Sequence, residues 1–446
     1  MELDMTKGKP GSLIVKFMIP LILGNLFQQL YNMVDTIVVG RFVGVQALAA
    51  VGATGTIMFL ILGFMQGLTT GFTVLTAQRF GAGDEKGLRK SVGNATVLSA
   101  VITIIMTIVS VAGMDFLLTV MHTPEDMYDM AKEYITIICL GMVFNILYNL
   151  TSSFLRAVGN SKVPLYSLIV SAFINIILDI VLVVFIPLGV AGAAIATILA
   201  QGVGGVICLV YIVKKVPLTH INKNDLKLDY YCASNQLGVG VPMALQFSIT
   251  AVGTILVQAA LNMFGSVAVA AYTAAGKVEL LATQFYGALG TTVATYSAQN
   301  RGINDIERIH KGTKIANIYS LVYSVLMYGI VIMLLPYLIK IFVGDASAEV
   351  IGYAETYVKI CGSCFIFLGL IFIFRNAMQS CGFALLPMLG GVVELVCRSV
   401  AAFASVKFDS YVGVCMANAS AWVVTGLFLA IAYLFTVKRL RPSVSQ

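Results

Sequence analysis

Uninterrupted apolar stretches of about 20 residues, the length that crosses roughly 30 Å of hydrocarbon, recur from one end of this chain to the other. A bilayer offers no hydrogen-bond partner to exposed backbone, so only helices and closed barrels span it. Barrel strands alternate in polarity, whereas these segments are continuous Leu, Ile, Val, Ala and Gly runs. The sequence therefore reads as an all-α polytopic membrane protein. Its twelve transmembrane helices fall at roughly 14–39, 47–77, 91–119, 131–155, 164–186, 189–214, 236–263, 268–298, 314–342, 352–379, 385–407 and 411–437. Composition agrees: 11% of the 446 residues are charged, against about 25% in soluble domains.

The first apolar run continues past signal-peptide length without a small-residue cleavage site, and reads as a retained helix. With the N-terminus in the cytoplasm, most Lys and Arg fall inside, among them Lys7, Lys9, Arg79, Arg89, Lys90, Lys214, Lys215, Arg308, Arg375, Lys438, Arg439 and Arg441. Only Arg41, Lys132, Lys340, Lys359 and Lys407 fall outside, so the positive-inside rule places both termini in the cytoplasm. The net charge of +7 is then a topology signal and not a nucleic-acid surface. The eight cysteines lie almost entirely inside apolar segments, where Cys is a small apolar filler. Cys361-Gly-Ser-Cys364 has a redox spacing but sits within a span. The three His, His122, His220 and His310, are read as loop residues, which leaves no His-based metal site or catalytic base in the membrane.

The longest polar interruption, 215–235, divides the chain into an N-terminal lobe, 1–214, and a C-terminal lobe, 236–446. A shift of 221 residues lays Gly44-Val-Gln-Ala-Leu-Ala-Ala50 on Gly265-Ser-Val-Ala-Val-Ala-Ala271 and Gln78-Arg-Phe-Gly-Ala-Gly-Asp84 on Gln299-Asn-Arg-Gly-Ile-Asn-Asp305. Pro20 meets Pro242 with one residue of slack, and a shift of 223 brings Gly159 onto Gly382 and Pro164 onto Pro387. Each lobe has an even number of helices, so the two copies keep one orientation, related by an axis along the membrane normal. Two such bundles facing each other leave a cleft, which is a transporter's arrangement.

Carboxylates deep in a span cost a few kcal/mol on insertion scales, so each asks for a partner or a function. Asp35 lies far along the first helix and Asp179 along the fifth. Gln28, Tyr31 and Asp35 share one face of the first helix; Asn175 and Asp179 are i,i+4 on the fifth, as are Thr197 and Gln201 on the sixth. Two carboxylates among Tyr, Asn and Thr oxygens suit a shared proton or a dehydrated Na⁺. The plain alternative is that Asp35 only hydrogen-bonds within the bundle or faces water. The second lobe puts Leu256 or Val257 where Asp35 stands, and Arg398 and Ala402 where Asn175 and Asp179 stand, so the ion site belongs to the first lobe alone.

Glu394 and Arg398, i,i+4 on the eleventh helix, read as a structural intramembrane pair, and Arg398 as the only deep arginine. Glu279 lies either along the cleft or against Lys277. Gln258, Asn262 and Gln284, with Gln28, Gln201 and Glu279, could line a substrate cavity, or serve as interhelical hydrogen bonds. Pro20 is either a hinge in the first helix or its start.

The run from Pro20 through Gln-Gln-Leu-Tyr31-Asn-Met-Val-Asp35-Thr-Ile-Val-Val-Gly40, with Ala77-Gln-Arg-Phe-Gly-Ala-Gly-Asp84, Arg156-Ala-Val-Gly159-Asn-Ser-Lys-Val-Pro164 and Gly189-Val-Ala-Gly192-Ala-Ala-Ile-Ala-Thr197, resembles the multidrug and toxic compound extrusion (MATE) family over essentially the whole chain. The resemblance implies twelve helices in two lobes and export of cationic or amphipathic organic compounds against H⁺ or Na⁺. It implies Asp35 as the principal coupling carboxylate, with Tyr31, Asn175, Asp179 and Thr197 around it; a Na⁺ would sit at Asp35, Asn175, Asp179 and Thr197. The sodium-coupled branch keeps an acid about eight residues after the seventh-helix proline. Thr250 stands there, which makes the chain look like the DNA-damage-inducible-F-like bacterial branch. The expectations are then a multi-pass protein of a prokaryotic plasma membrane, working as a monomer, not an enzyme, with no cofactor beyond the coupling ion. The alternative is a lipid-linked oligosaccharide flippase of the same superfamily.

Overall fold

The computed structural model describes residues 2–121, 123–219, 221–343, 348–437 and 440; His122, His220, Lys438, Arg439 and Arg441 lie outside them. The described residues form helices and no strand. In order they are α1 (Pro10–Val38), α2 (Val45–Gly81), α3 (Glu85–Ala112), the short α4 (Met114–Val120), α5 (Glu125–Leu140), α6 (Met142–Ala157), α7 (Lys162–Asp179) and α8 (Gly189–Lys215). Then follow α9 (Tyr230–Asn262), α10 (Gly265–Gly302), α11 (Ile306–Val343), α12 (Ala348–Ser363), α13 (Phe365–Ser380), α14 (Leu385–Lys407) and α15 (Tyr411–Phe435). π-Helical turns extend α1 over Val39–Val43 and α7 over Ile180–Phe185.

Nine of these helices are long and apolar enough to cross a membrane alone. The expected fourth and tenth spans are each two helices, α5 with α6 bent by 48° and α12 with α13 bent by 47°. The remaining span is α10, 38 residues long, whose Lys277 and Glu279 make it the least apolar. The lipid-facing character of the bundle is plain in Ile108, Phe403 and Met333, which expose 63%, 72% and 76% of their surface.

The repeat read in the sequence is present in the backbone. The breaks fall at Gly141 and Cys364, which the 223-residue shift superposes. After α2, Gly83 takes φ +68° and Asp84 caps α3 by accepting from Gly87 N–H at 2.9 Å, while holding Arg79 at 2.8 Å. After α10, Asn304 takes φ +57° and Asp305 accepts from Arg308 N–H at 2.9 Å. Asn tolerates the left-handed region better than most residues, so it does in the second copy what Gly does in the first.

The chain divides into two compact units, residues 1–7 with 19–244 and residues 8–18 with 245–446. The boundary thus passes through α1 beside Pro20 and through α9 beside Pro242. Because α1 begins at Pro10, Pro20 is an interior proline and not the helix start. In the first unit α2 packs on α3, α5 and α6, and α8 on α6 and α7; in the second, α10 packs on α11, α12 and α13, and α15 on α13 and α14. Small residues permit the closest crossings. A Cβ on Gly71 would lie 2.3 Å from the Gly240 Cα, so α2 meets the start of α9 backbone to backbone.

The described residues of the polar segment 215–235 form a strap on the first unit. A Cβ on Gly93 of α3 would lie 2.1 Å from the Asp225 carbonyl, and Gln236 donates to the Ser91 carbonyl at 2.8 Å. Asp229 caps α9 by accepting from Cys232 N–H at 3.0 Å and receives Lys90 at 2.7 Å, while its own N–H donates to Asn94 at 2.8 Å. The Lys90 ammonium, then the Cys232 N–H, hold the Asp229 carboxyl down to about 2.

Two outcomes are expected. Gly71→Ala forces two backbones apart and lowers stability by about 2 kcal/mol, as over-packing does. Gly329→Ala, whose new methyl meets nothing within 4 Å, leaves stability unchanged or higher; thermal unfolding of the purified protein in detergent compares them. Because the folded-state value of Asp229 is depressed, the strap's hold is full above the ordinary carboxylate range near 4 and is lost as pH falls toward about 2. Hydrogen exchange of residues 222–232 in Asp229→Asn should therefore exceed wild type at pH 7, with the difference shrinking below pH 4.

Candidate cation-binding site

Both membrane carboxylates stand at the mouth of a π-helical turn. Asp35 lies one turn before Val39–Val43 and Asp179 immediately before Ile180–Phe185, and the two turns pack against each other. Their wide rings close through i→i+5 bonds, Gly44 N–H to the Val39 carbonyl at 3.2 Å and Ile186 N–H to the Val181 carbonyl at 2.9 Å. Gly44, at φ +121°, ends the first turn, and Pro187, with no N–H to donate, ends the second. Such turns frequently mark functional sites because they displace side chains from the regular helical register.

Five residues singled out from the sequence converge here within the first unit. Asn175 and Asp179, both 0% exposed, lie one turn apart on α7, and Thr197, 6% exposed, comes from α8. The Asp35 and Asp179 carboxyl groups interact directly, and Tyr31 faces Thr197 and both carboxyls. A sixth residue escaped the sequence reading: Tyr134 of α5, buried, faces Asp35, Tyr31 and Asp179. It looked like one aromatic in an apolar span, yet the 223-residue shift pairs it with Tyr357, a clue that was available. Asp35 Oδ1, both Asp179 oxygens, Asn175 Oδ1 and Nδ2, and Thr197 Oγ1 are buried without a hydrogen-bond partner. Two acids and hard neutral oxygens are the donor set that a proton or Na⁺ requires.

The residues considered for a substrate cavity are spread out. Gln28 is exposed on α1. Gln201 accepts from Asn145 of α6 at 3.1 Å, an interhelical bond. Gln258 donates to Asn262 at 2.9 Å along α9, and Gln284 donates back to the Leu280 carbonyl at 3.1 Å. Glu279 belongs elsewhere: Tyr357 of α12 donates to it, and Lys277 does not.

That bond is one end of a buried network in the second unit. Asn418 of α15 donates to Tyr272 at 3.3 Å and to Tyr357 at 3.2 Å, and accepts from Arg398 Nε at 3.2 Å. Glu394 takes Arg398 at 3.6 Å and Arg375 of α13 more closely. Arg375 is therefore a membrane-buried partner and not the cytoplasmic-side cation the sequence suggested, and Arg398 is not the only deep arginine. His310 likewise lies inside α11, where its Nδ1 meets the Tyr433 hydroxyl at 2.7 Å.

The two halves that the sequence pattern aligned are also two matches to one family model: MatE matches residues 20–181 and again 242–403, from Pro20 in one half and Pro242 in the other. The chain belongs to the MATE family. It is 27% identical to the probable multidrug resistance protein YpnP of Bacillus subtilis, over 86% of each chain. It is 28% identical to the probable multidrug resistance protein NorM of Thermotoga maritima, over 96% of this chain and 91% of that one. Its fold superposes with a TM-score of 0.91 on a multidrug resistance MATE transporter in an outward-facing conformation, at 20% identity and 98% coverage of both chains.

As a MATE transporter the chain is a multi-pass plasma-membrane protein whose two halves have parted chemically. Thr250 of α9 donates to the Gln246 carbonyl at 3.0 Å and adds no charge to the second unit, where every intramembrane acid already has a donor. Removing the shared acid there should be far worse than removing one base. Glu394→Gln leaves Arg375 and Arg398 without a countercharge and should cost about 3 kcal/mol or more, while Arg398→Gln leaves Glu394 with Arg375 and should cost less. Unfolding in detergent ranks the two; equal losses would show that the three groups do not act as a bridge.

Proposed function

We propose that this MATE chain is an antiporter that exports cationic or amphipathic organic compounds in exchange for H⁺ or Na⁺, coupled at Asp35 and Asp179. One observation carries the reading. Asp35 Oδ1, both Asp179 oxygens, Asn175 Oδ1 and Thr197 Oγ1 are buried without protein donors, whereas Glu279 and Glu394 are engaged by Tyr357, Arg375 and Arg398. A site that keeps acid oxygens unpaired in hydrocarbon is built for a charge that arrives and leaves. The multidrug names of the YpnP and NorM relatives support the compound class.

In this cycle the cation enters from outside and neutralises the paired acids, the first unit changes shape around α1, and the organic compound is released outward. Return inward frees the cation and admits a new compound. Coupling is reciprocal, so cation and compound each weaken the other's binding. Pro20 removes one hydrogen bond from α1 between the unit boundary and Asp35, which lowers the cost of bending that helix.

Proteoliposomes loaded with ethidium test this under an imposed pH gradient and, separately, a Na⁺ gradient. Wild type should export under one of them, which names the ion, and Asp35→Asn should cut gradient-driven efflux at least about tenfold. Normal coupling in Asp35→Asn would place the site elsewhere. No efflux under either gradient would turn attention to the lipid-linked oligosaccharide flippase.

A further inference from the structure

A second cavity, of about 380 Å³, opens in the first unit at the end where α8 finishes in Lys214 and Lys215. Its walls come from α3, α6 and α8, and Thr219 and Ile221 of the strap close it. It is more apolar than its lining suggests. The three hydroxyls on its wall are turned back onto their own backbone, Thr96 to the Val92 carbonyl at 2.8 Å, Thr151 to Leu147 at 2.6 Å and Thr219 to Val216 at 2.9 Å. The lining is mostly carbon, and the hydroxyl protons on it are already spent on backbone carbonyls.

Its surroundings are charged. Val213 and Ile221 belong to the lining, and Lys214, Lys215 and Lys223 follow within two residues of them, all exposed. Asp225, the acid closest in sequence to Lys223, is held by the Asn222 N–H at 2.8 Å, and Asp229 is held by Lys90. A Cβ on Gly205 would lie 2.8 Å from Leu147 Cγ, so α8 and α6 approach closely beside this lining residue. The strap is fixed on α3 through Gly93 and Asn94.

We infer that this cavity is a binding site for one acyl chain of an anionic phospholipid of the cytoplasmic leaflet, with the phosphate headgroup held by Lys214 and Lys215. A slot lined mostly by carbon, with the exposed apolar side chains Leu209 and Val213 on its wall, suits a hydrocarbon chain. A cluster of lysines at the cytoplasmic end of membrane helices selects for negative headgroups. The site is separate from Asp35 and Asp179 and ties the strap that connects the two halves to the lipid of the inner leaflet.

Native mass spectrometry of the full-length protein, titrated with dioleoylphosphatidylglycerol or dioleoylphosphatidylcholine, tests the site. Wild type should retain phosphatidylglycerol preferentially. Lys214→Gln with Lys215→Gln should lower that preference about fivefold per lysine, roughly thirtyfold together, and leave phosphatidylcholine unchanged. Leu209→Trp, a half-exposed wall position, should reduce retention of the tightly held lipid. Equal retention of the two lipids by wild type overturns the proposal without any variant having to fold. So does phosphatidylglycerol retention indifferent to all three substitutions. Displacement of the lipid by ethidium would also overturn it, by making the cavity a site for transported compounds.

Discussion

Hydrocarbon supplies no hydrogen bonds and little screening, so every polar group within the spans must be satisfied by the protein or reserved for something that comes and goes. The second unit takes the first course. Its two glutamates, two arginines, two tyrosines and Asn418 form a chain of donors and acceptors whose formal charges cancel. The first unit takes the second course. It gathers two aspartates with an asparagine and a threonine and leaves most of their oxygens without donors. An acid in low dielectric without a built-in countercharge is tolerable only if a proton or metal ion provides one, and the proposed coupling rests on that requirement.

The contrast is sharper because the two units share a backbone plan. On α7 the residues Ser171, Asn175 and Asp179 fall one turn apart, and the 223-residue shift sets Glu394, Arg398 and Ala402 of α14 on the same positions. Where α7 carries Asn175 beside the proposed cation site, its copy α14 carries a cation of its own, the Arg398 guanidinium. Tyr134 and Tyr357 occupy matching places on the bent spans, and each faces acid: Asp35 with Asp179 in one unit, Glu279 in the other. Duplication preserved the turns, bends and prolines, while substitution at a few buried positions gave one copy acids that Tyr357, Arg375 and Arg398 engage and left the other with acid oxygens that have no protein donor.

Much of this was legible in the residues because bilayer physics is written at a coarse scale. Span length, the Lys and Arg distribution and the repeat offsets each survive errors of several residues at helix ends. The polar stripe of Tyr31, Asp35, Asn175, Asp179 and Thr197 was readable for the same reason, since a carboxylate in an apolar run stands out. What was hidden depends on geometry that composition does not record. The bends at Gly141 and Cys364 interrupt runs that look continuous. Arg375 lies near the end of a span and reads as a flanking cation until α14 brings Glu394 beside it, and His310 reads as a loop residue because the helix α11 begins before its apolar stretch does. Tyr134 carries no charge to announce it. The strap at 215–235 reads in the sequence as a cytoplasmic linker, and only the absence of a side chain at Gly93 betrays how closely it lies on α3.

The position of the unit boundary gives the two interior prolines a common meaning. It crosses α1 between Met18 and Ile19 and α9 between Ala244 and Leu245, in each case within two residues of a repeat-related proline, Pro20 or Pro242. A helix whose two ends belong to different packing units must bend when those units move, and the bend is cheapest where a backbone hydrogen bond is already missing. Asp35 lies on the same helix as Pro20, about four turns further along. Under the proposed antiport, a proton or Na⁺ at Asp35 cancels its repulsion with Asp179 and favours their approach, and the helix on which that force acts is one that crosses the boundary. Its counterpart α9 crosses at Pro242 but has no acid in the position of Asp35, and its start is pinned on α2 through Gly240 and Gly71. Of Pro20 and Pro242, only Pro20 shares its helix with an intramembrane carboxylate.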